Sequence, residues 1–473
     1  MYQLRVHTNR ITTGTSLDIR KKYAAVVIGA GPAGIEAAKT ISEGGRKVLL
    51  VDRSIGGNYC SGGSVISNTL LHISHLYERF VNKTSNFVST DCNHELSFDF
   101  KKAKKHVESV TSKVIKGFMD ELSSTDVDIV KGFATFTSKN SLIISTADEG
   151  DIEVEFEKAI IATGSNNMSA NVPSTKKLLD TSNIFDLETT PKSVVVVGGG
   201  FIGTEYATFF KRIGCHVTII EKSDRLLGSI DAQVVKEFED QLKKSGVEVL
   251  KGVSVDRIEK VGNKTIIFLN DDNKIEGEEV FVSIGRAPNI SKLLPENAGI
   301  KFDERGFPKL TKKLRTTNKD IYMVGDATGL NMFVNWAYMS AEIAACEILE
   351  HKRNISPYLC PRILELDPEV ASVGLSEVDA KEAGYDFKVV RHSFKNFERS
   401  VAQGTVKGFI KIIYDAKDKK ILGCHAVGSG ASELVSTFAM MVQSKMPLNR
   451  IEDFIFNHPT FSNVLCDIAG KVK

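Results

Sequence analysis

Two glycine-rich turns, each placed after a short β-branched run and each followed at the same distance by an acid, constrain this chain more than any other feature. The first follows Ala24 to Ile28 and reads Gly29-Ala30-Gly31-Pro32-Ala33-Gly34. A helix is predicted over Ile35 to Glu43, then a second strand over Lys47 to Val51 that ends at Asp52. The second turn follows Ser193 to Val197 and reads Gly198-Gly199-Gly200-Phe201-Ile202-Gly203. There a helix is predicted over Thr204 to Ile213, and a strand over His216 to Ile220 closes on Glu221. Asp52 lies 23 positions after Gly29, and Glu221 lies 23 after Gly198. In such a turn the first glycine makes the bend and the second lets backbone approach a pyrophosphate. The third lets helix and strand pack closely, and the helix N-terminus offers N–H donors and partial positive charge. Two copies at one offset imply two dinucleotides on two Rossmann-type domains. The acid at the strand end accepts from ribose hydroxyls, so Glu221 favours NAD. Lys222 and Arg225 leave NADP open.

At about 150 residues per domain, 473 residues correspond to about three domains. The formal net charge of +2 argues against a nucleic-acid or anionic-membrane surface. No apolar run is long enough to predict a membrane span. The seven cysteines are scattered without a CxxC, which fits a reducing, cytoplasmic setting. Residues 1–22 are basic and hydroxyl-rich and are read as a flexible extension, in preference to a mitochondrial-type presequence.

Later segments narrow the class. Ile160 to Ser165 reads IIATGS, Gly285 to Asn289 reads GRAPN, and Thr316-Thr317-Asn318 precedes Ile321 to Ala327 (IYMVGDA). Asp367 to Gly374 reads DPEVASVG, Gly408 to Gly428 reads as a hairpin of alternating strands, and Asn457 to Ser462 reads NHPTFS. In this order the motifs resemble the pyridine nucleotide–disulfide oxidoreductases, specifically the dihydrolipoamide dehydrogenase-like group, across residues 23–470. The resemblance implies an α/β fold of two Rossmann-like FAD and NAD(P) domains with a C-terminal α+β dimerisation domain. The FAD domain would span 23–172 and 301–357, the NAD(P) domain 173–300, and the interface domain 358–473. The stretch from Leu71 to about Ile129 would be a helical hairpin of the FAD domain. Beyond the turn glycines and acids, the resemblance assigns Gly57, Ala134, Thr163, Gly164, Gly285, Arg286, Gly325 and Asp326 to cofactor binding, with Asp326 on the ribityl chain. It implies a homodimer in which His458 reaches the partner's active site.

The pattern breaks where the family carries its redox disulfide. Over Gly56 to Asn68 the family's GG-x-C-x4-C-x-P-S-K aligns Tyr59 with the first cysteine and Ser64 with the second. Ile66 replaces the proline and Asn68 the lysine, and Cys60 is one position out of register. The acid that orients the family's histidine falls at Asn463. A serine cannot form a disulfide or supply a thiolate. What serves the nicotinamide half-reaction is retained, including Glu205, which relatives pair with the missing lysine. Without that partner its pKa is expected to rise.

Catalytic candidates are therefore Glu205, His458, Cys60 and Ser64. His458 is either a base toward substrate or an interface residue fixing its turn. Cys60 is either a lone redox thiol or a small residue in a glycine-rich turn. Tyr59 either covers the flavin face or is a tolerated substitution. His72 and His75 lack a third ligand, so no metal is expected. The leading expectation is an FAD-dependent NAD(P)H oxidoreductase that passes electrons to a small non-disulfide acceptor, a quinone or a second pyridine nucleotide. The alternatives are a degenerate flavin-binding paralogue with a structural or regulatory role, and single-cysteine chemistry at Cys60.

Overall fold

The computed structural model describes residues 21–81, 96–148, 150–169, 172–262, 264–351 and 359–472. The extension expected over 1–22 lies outside them except for Lys21 and Lys22. The chain forms two compact units. One is built from residues up to Ile66, from His106–Asn167 and from the segment beginning at Arg286; the other from Ser67–Lys105, Met168–Gly285 and the C-terminal segment.

The first unit holds a seven-stranded sheet in the order Val127–Lys131, Val48–Asp52, Lys22–Ile28, Asp151–Ile161, Ser141–Ser145, Phe133–Phe136, with Ile321–Met323 also paired to Asp151–Ile161. Lys22–Ile28 is flanked on both sides by parallel partners, Val26 facing Leu49 on one and Ala159 on the other. Both faces are covered, so its sequence is a continuous β-branched run rather than an alternating one. The connection out of this strand returns to one neighbour through the helix Pro32–Glu43, and the other neighbour comes from later in the chain. The first glycine turn therefore sits at a topological switch point, where open α/β sheets bind ligands.

The second unit repeats the plan. Its parallel sheet runs Glu248–Lys251, His216–Glu221, Ser193–Val197, Glu279–Val282, and Ser193–Val197 again lies between neighbours before a glycine turn. The helices after both turns begin earlier than the periodicity predicts, at Pro32 and Phe201. The third glycine of each turn lies inside the helix rather than ahead of it. The stretch read as one hairpin of the first domain is divided instead. Its helices are Ser64–Val81 and Phe100–Ser123, and the described residues 67–81 and 96–105 belong to the second unit. Phe98 and Phe100 present their edges to Phe209 at 5.8 and 6.3 Å, and this aromatic contact draws the segment there.

The same unit carries a five-stranded antiparallel sheet, Arg362–Leu364, Val370–Gly374, Ile421–Val427, Phe409–Asp415, Phe387–Ser393, with the helix Ala431–Gln443 packed on it. The hairpin is not alternating. Every residue from Phe409 to Tyr414 is buried, because both faces of the sheet are covered. Lys411, 1 % exposed, is thereby forced inside and must find acids. It donates to Asp231 at 2.8 Å and pairs with Glu377. Asp231 in turn caps the helix Ala232–Lys244 through the N–H groups of Gln233 and Val234. Lys411→Met is expected to cost about 3–5 kcal/mol, since it leaves two carboxylates without their cation. Urea denaturation of variant and parent measures this; a change under 1 kcal/mol would contradict it.

Candidate functional site

Of the first, middle and last glycines of the G-x-G-x-x-G pattern, the protein itself requires the first and last in each turn and leaves the middle one unexplained. Gly29 and Gly198 have φ of 110° and 104°. A methyl group on them would lie 2.3 Å from the Ala162 carbonyl oxygen and 2.4 Å from that of Ser283. On Gly34 and Gly203 it would strike the carbonyl oxygens of Gly29 and Gly198 at 1.7 and 1.8 Å. Gly31 and Gly200 precede their helices with ordinary φ of −78° and −79°, and a methyl group there meets no protein atom within 4 Å. The middle glycine of each turn keeps open a cradle that a Cβ would fill, the approach a pyrophosphate needs at a helix N-terminus.

The acids hold the turns in shape. Asp52 accepts from the N–H of Ala30 and of Arg53, both at 2.6 Å. Glu221 accepts from Gly199 at 2.7 Å and Ser223 at 2.8 Å. A carboxylate has about four acceptor positions, so each keeps capacity for ribose hydroxyls. Arg225 donates instead to the carbonyls of Ile230 (3.3 Å) and Gly228 within its own loop.

Other cofactor candidates gather in the first unit. Gly57, φ 52°, packs against Gly31, and a methyl group on Gly325 would lie 3.1 Å from Ala33 Cβ on the first nucleotide helix. Gly164, φ 69°, accepts from Asn289 N–H at 2.9 Å, and the Thr163 hydroxyl is buried with no protein partner. That orphaned donor at the strand end fits a flavin nucleotide held here. Asp326 accepts from the Ser165 hydroxyl at 2.6 Å, and burial raises its pKa while Ser165 and Arg286 pull it down. Arg286 donates to the Ser165 hydroxyl (2.7 Å) and carbonyl (2.6 Å) and to Asn167 (2.6 Å). Its guanidinium thus braces the site rather than pointing at a ligand. Ser165 and Asn167 escaped sequence reasoning, because Ser165 meets Asp326 across 161 positions. Ala134 packs its methyl into the core with Phe136 and Ile144, leaving only its backbone for a nucleotide. In the second unit Gly285, φ 125°, ends the loop that receives Met168 N–H at 3.0 Å.

The thiol positions are placed as follows. Tyr59 lies in the helix Gly57–Ser61 with its ring 6.1 Å from that of Phe118, and burial raises its phenol pKa. Cys60 is 4 % exposed and packed on Gly56, and burial pushes its thiol up to about 11. Ser64 opens the helix Ser64–Val81. Of the cysteines described none forms a disulfide. Cys92 lies outside the described residues.

His458 is exposed, with Nε2 3.5 Å from a carboxyl oxygen of Glu398. Asn463 does not turn to it. Its Oδ1 accepts from Thr460 N–H at 3.0 Å and closes the turn. Glu398 escaped sequence reading, lying 60 positions from His458. Glu205 sits on the helix Phe201–Arg212 with its carboxyl deep among protein atoms, and burial raises its pKa to about 7. Ser67 works against that rise, and Glu365 adds to it. Because the folded pKa exceeds the unfolded value, Glu205 binds more protons in the native state between pH 4.5 and about 7. Its contribution to stability is complete below that window and is lost as pH rises through it, by up to about 3 kcal/mol. Glu205→Gln should remove this loss, so that the parent-minus-variant stability falls between pH 5 and 8. A flat difference in chemical denaturation would contradict it.

Two Rossmann-type sheets, each with its turn and acid, followed by an antiparallel sheet domain, define a two-dinucleotide flavoprotein. Residues 23–344 match the pyridine nucleotide-disulphide oxidoreductase family, and 360–468 match its dimerisation domain. The chain belongs to this family. It is 32% identical over 452 residues to a dihydrolipoyl dehydrogenase of Staphylococcus aureus, covering 94% of this chain and 96% of the relative. It is 30% identical over 457 residues to that of Geobacillus stearothermophilus, covering 96% of each. Among solved structures it resembles the HOCl-induced flavoprotein disulfide reductase RclA from Escherichia coli at a TM-score of 0.83 and 27% identity, over 95% of this chain and 100% of that one. LpdA from Mycobacterium tuberculosis shares the fold at a TM-score of 0.87 and 23% identity, over 95% and 100%. The protein is thus an FAD-dependent NAD(P)H oxidoreductase. No helix among the described residues is long and apolar enough to cross a membrane, and no cluster of three metal-ligating groups occurs among them.

Proposed function

We propose that this enzyme oxidises NADH and delivers the electrons to a small acceptor that is not a disulfide, such as a quinone or a second pyridine nucleotide. The observation that carries the reading is the pair Tyr59 and Ser64 at the cysteine positions, beside a Cys60 thiol that burial holds protonated. When bound, FAD supplies the two-electron chemistry between nicotinamide and acceptor. The chain's own residues bind and orient. Gly31 and Gly200 admit the two pyrophosphates, Asp52 and Glu221 take the riboses, and Ser165 presents Asp326 toward the ribityl chain. The engagement of Arg225 with its own loop supports NAD over NADP, because that guanidinium is not poised for a 2′-phosphate. We assign 23–172 and 301–357 to FAD, 173–300 to the nicotinamide nucleotide and 358–473 to a homodimer interface, with the small-molecule site served by His458 of each chain. The buried, protonated thiol weighs against single-cysteine chemistry. Anaerobic mixing of the holoenzyme with NADH, followed by a quinone, tests the proposal. Prompt bleaching and reoxidation are expected; a flavin that NADH and NADPH both leave oxidised would favour the structural or regulatory paralogue.

A further inference from the structure

The five-stranded antiparallel sheet carries one line of polar residues from edge to edge. Its register sets Arg362 opposite Ser372, Ser372 opposite His425, His425 opposite Lys411 and Lys411 opposite Arg391, so the five side chains stand on one face. Along this line the Ser372 hydroxyl and His425 Nδ1 meet at 2.5 Å. A buried polar contact adds little stability over an apolar one, and its best-attested service is to fix how two surfaces meet. Here the line meets the segment that runs from Glu221 to the helix Ala232–Lys244. Arg362 donates from Nη1 to the Ser229 carbonyl at 2.9 Å, and Lys411 donates to Asp231 at 2.8 Å, so the residues on either side of Ile230 are both held. Arg391 lies past the segment, with its guanidinium 3.6 Å above the Phe409 ring and beside Gln233 and Asp240 of the helix. The other end of the segment is tied to the second glycine turn. Glu221 accepts from Gly199, and Leu227 donates its N–H back to the Gly199 carbonyl at 2.9 Å. Ile230 N–H closes the bend on the Leu227 carbonyl at 2.8 Å. Leu227 has φ 46°, a left-handed conformation uncommon outside glycine. Such strain persists only where the surroundings over-determine it, and it gathers at ligand clamps.

We propose that Arg362 and Lys411, both in the part of the chain that matches the dimerisation domain, are positioning residues for the nicotinamide nucleotide. They hold the segment 222–231 so that the second turn and Glu221 are already shaped for the adenosine end. The inference rests on the proposed use of that turn by NADH and deepens it. A loop fixed in its bound form leaves less to be ordered on binding, and the saving appears as affinity. With the Ser229 carbonyl released, Leu227 relaxes from its left-handed conformation and its bond to Gly199 opens. The nucleotide must then restore both as it binds. A hydrogen bond from a charged donor is worth roughly tenfold or more in an equilibrium constant, which sets the size of the expected effect.

The test uses the oxidised holoenzyme and two ligands, followed by calorimetry. One is 1,4,5,6-tetrahydro-NAD, a reduced-nucleotide analogue that gives up no hydride; the other is ADP-ribose, which lacks the nicotinamide. Arg362→Ala should weaken both roughly tenfold with FAD content unchanged. Arg362→Lys keeps a charged donor and should recover most of that loss. Lys411→Met should weaken both at least as much. Arg362 is only half-buried, so Arg362→Ala decides the matter even if Lys411→Met does not fold. Arg391→Ala, on the same line but past the segment, should bind both ligands as the parent does. A parent-like Kd in Arg362→Ala, a loss for the full analogue without one for ADP-ribose, or an equal loss in Arg391→Ala would overturn the inference and leave the proposed function standing. Failure of both ligands to bind the parent would overturn both.

Discussion

Dihydrolipoamide is expected to leave the bound flavin oxidised, with turnover roughly 10⁴-fold or more below that with a quinone. Thiol–disulfide exchange requires a thiolate at the attacking sulfur and a second sulfur to complete the bond. The first position is Tyr59, a phenol that burial holds neutral, and the second is Ser64, a hydroxyl. Cys60 is the neighbouring thiol, and with its pKa at about 11 only about one molecule in 3,000 is ionised at pH 7.5. Ser64→Cys alone should restore nothing, because Tyr59 still occupies the partner position. Tyr59→Cys with Ser64→Cys should bring back a long-wavelength absorption on reduction but little turnover, since Asn463 is engaged with Thr460 and offers His458 no charge. Steady-state assays with dihydrolipoamide and NAD decide this. Turnover by the parent at a rate comparable to that with a quinone would contradict it.

The contrast between Gly31 and Gly34 should be equally large. Alanine at 31 finds permissive backbone and open space, so the apoprotein should fold with a melting temperature unchanged within about 2 °C. FAD binding should fall at least about 100-fold, because the added methyl stands where backbone must meet pyrophosphate. Alanine at 34 places its methyl 1.7 Å from the Gly29 oxygen, a collision between backbone and helix that no rotamer relieves. About 3 kcal/mol of stability, or folding itself, should be lost there. Flavin content after purification and apoprotein melting separate the two outcomes. Stoichiometric FAD on Gly31→Ala would show that the cradle serves something else.

These features differ in how legible they are in sequence. The turns and their acids could be read because all their parts lie within one strand–helix–strand unit, and spacing along the chain fixes spacing in space. The departures at Tyr59 and Ser64 also lie within one short stretch of chain. Helix starts were misplaced because a glycine inside the first turn looks like loop until its contact with Gly29 or Gly198 is seen. Lys411 looked like the polar side of an alternating strand, and only the second layer over that sheet puts it inside with Asp231. Ser165 beside Asp326 and Glu398 beside His458 carry no sequence signal, since folding alone brings such distant positions together. For Glu205 the missing lysine announced an altered carboxyl. Its dependence on burial and on Ser67 needed coordinates.

The central claim is that this flavoenzyme has no sulfur in circuit with its flavin. An anaerobic dithionite titration of the holoenzyme counts the electrons directly. Full reduction at two electrons per FAD, with no long-wavelength absorption along the way, is the result predicted; a requirement for four, with that absorption at the halfway point, would contradict it.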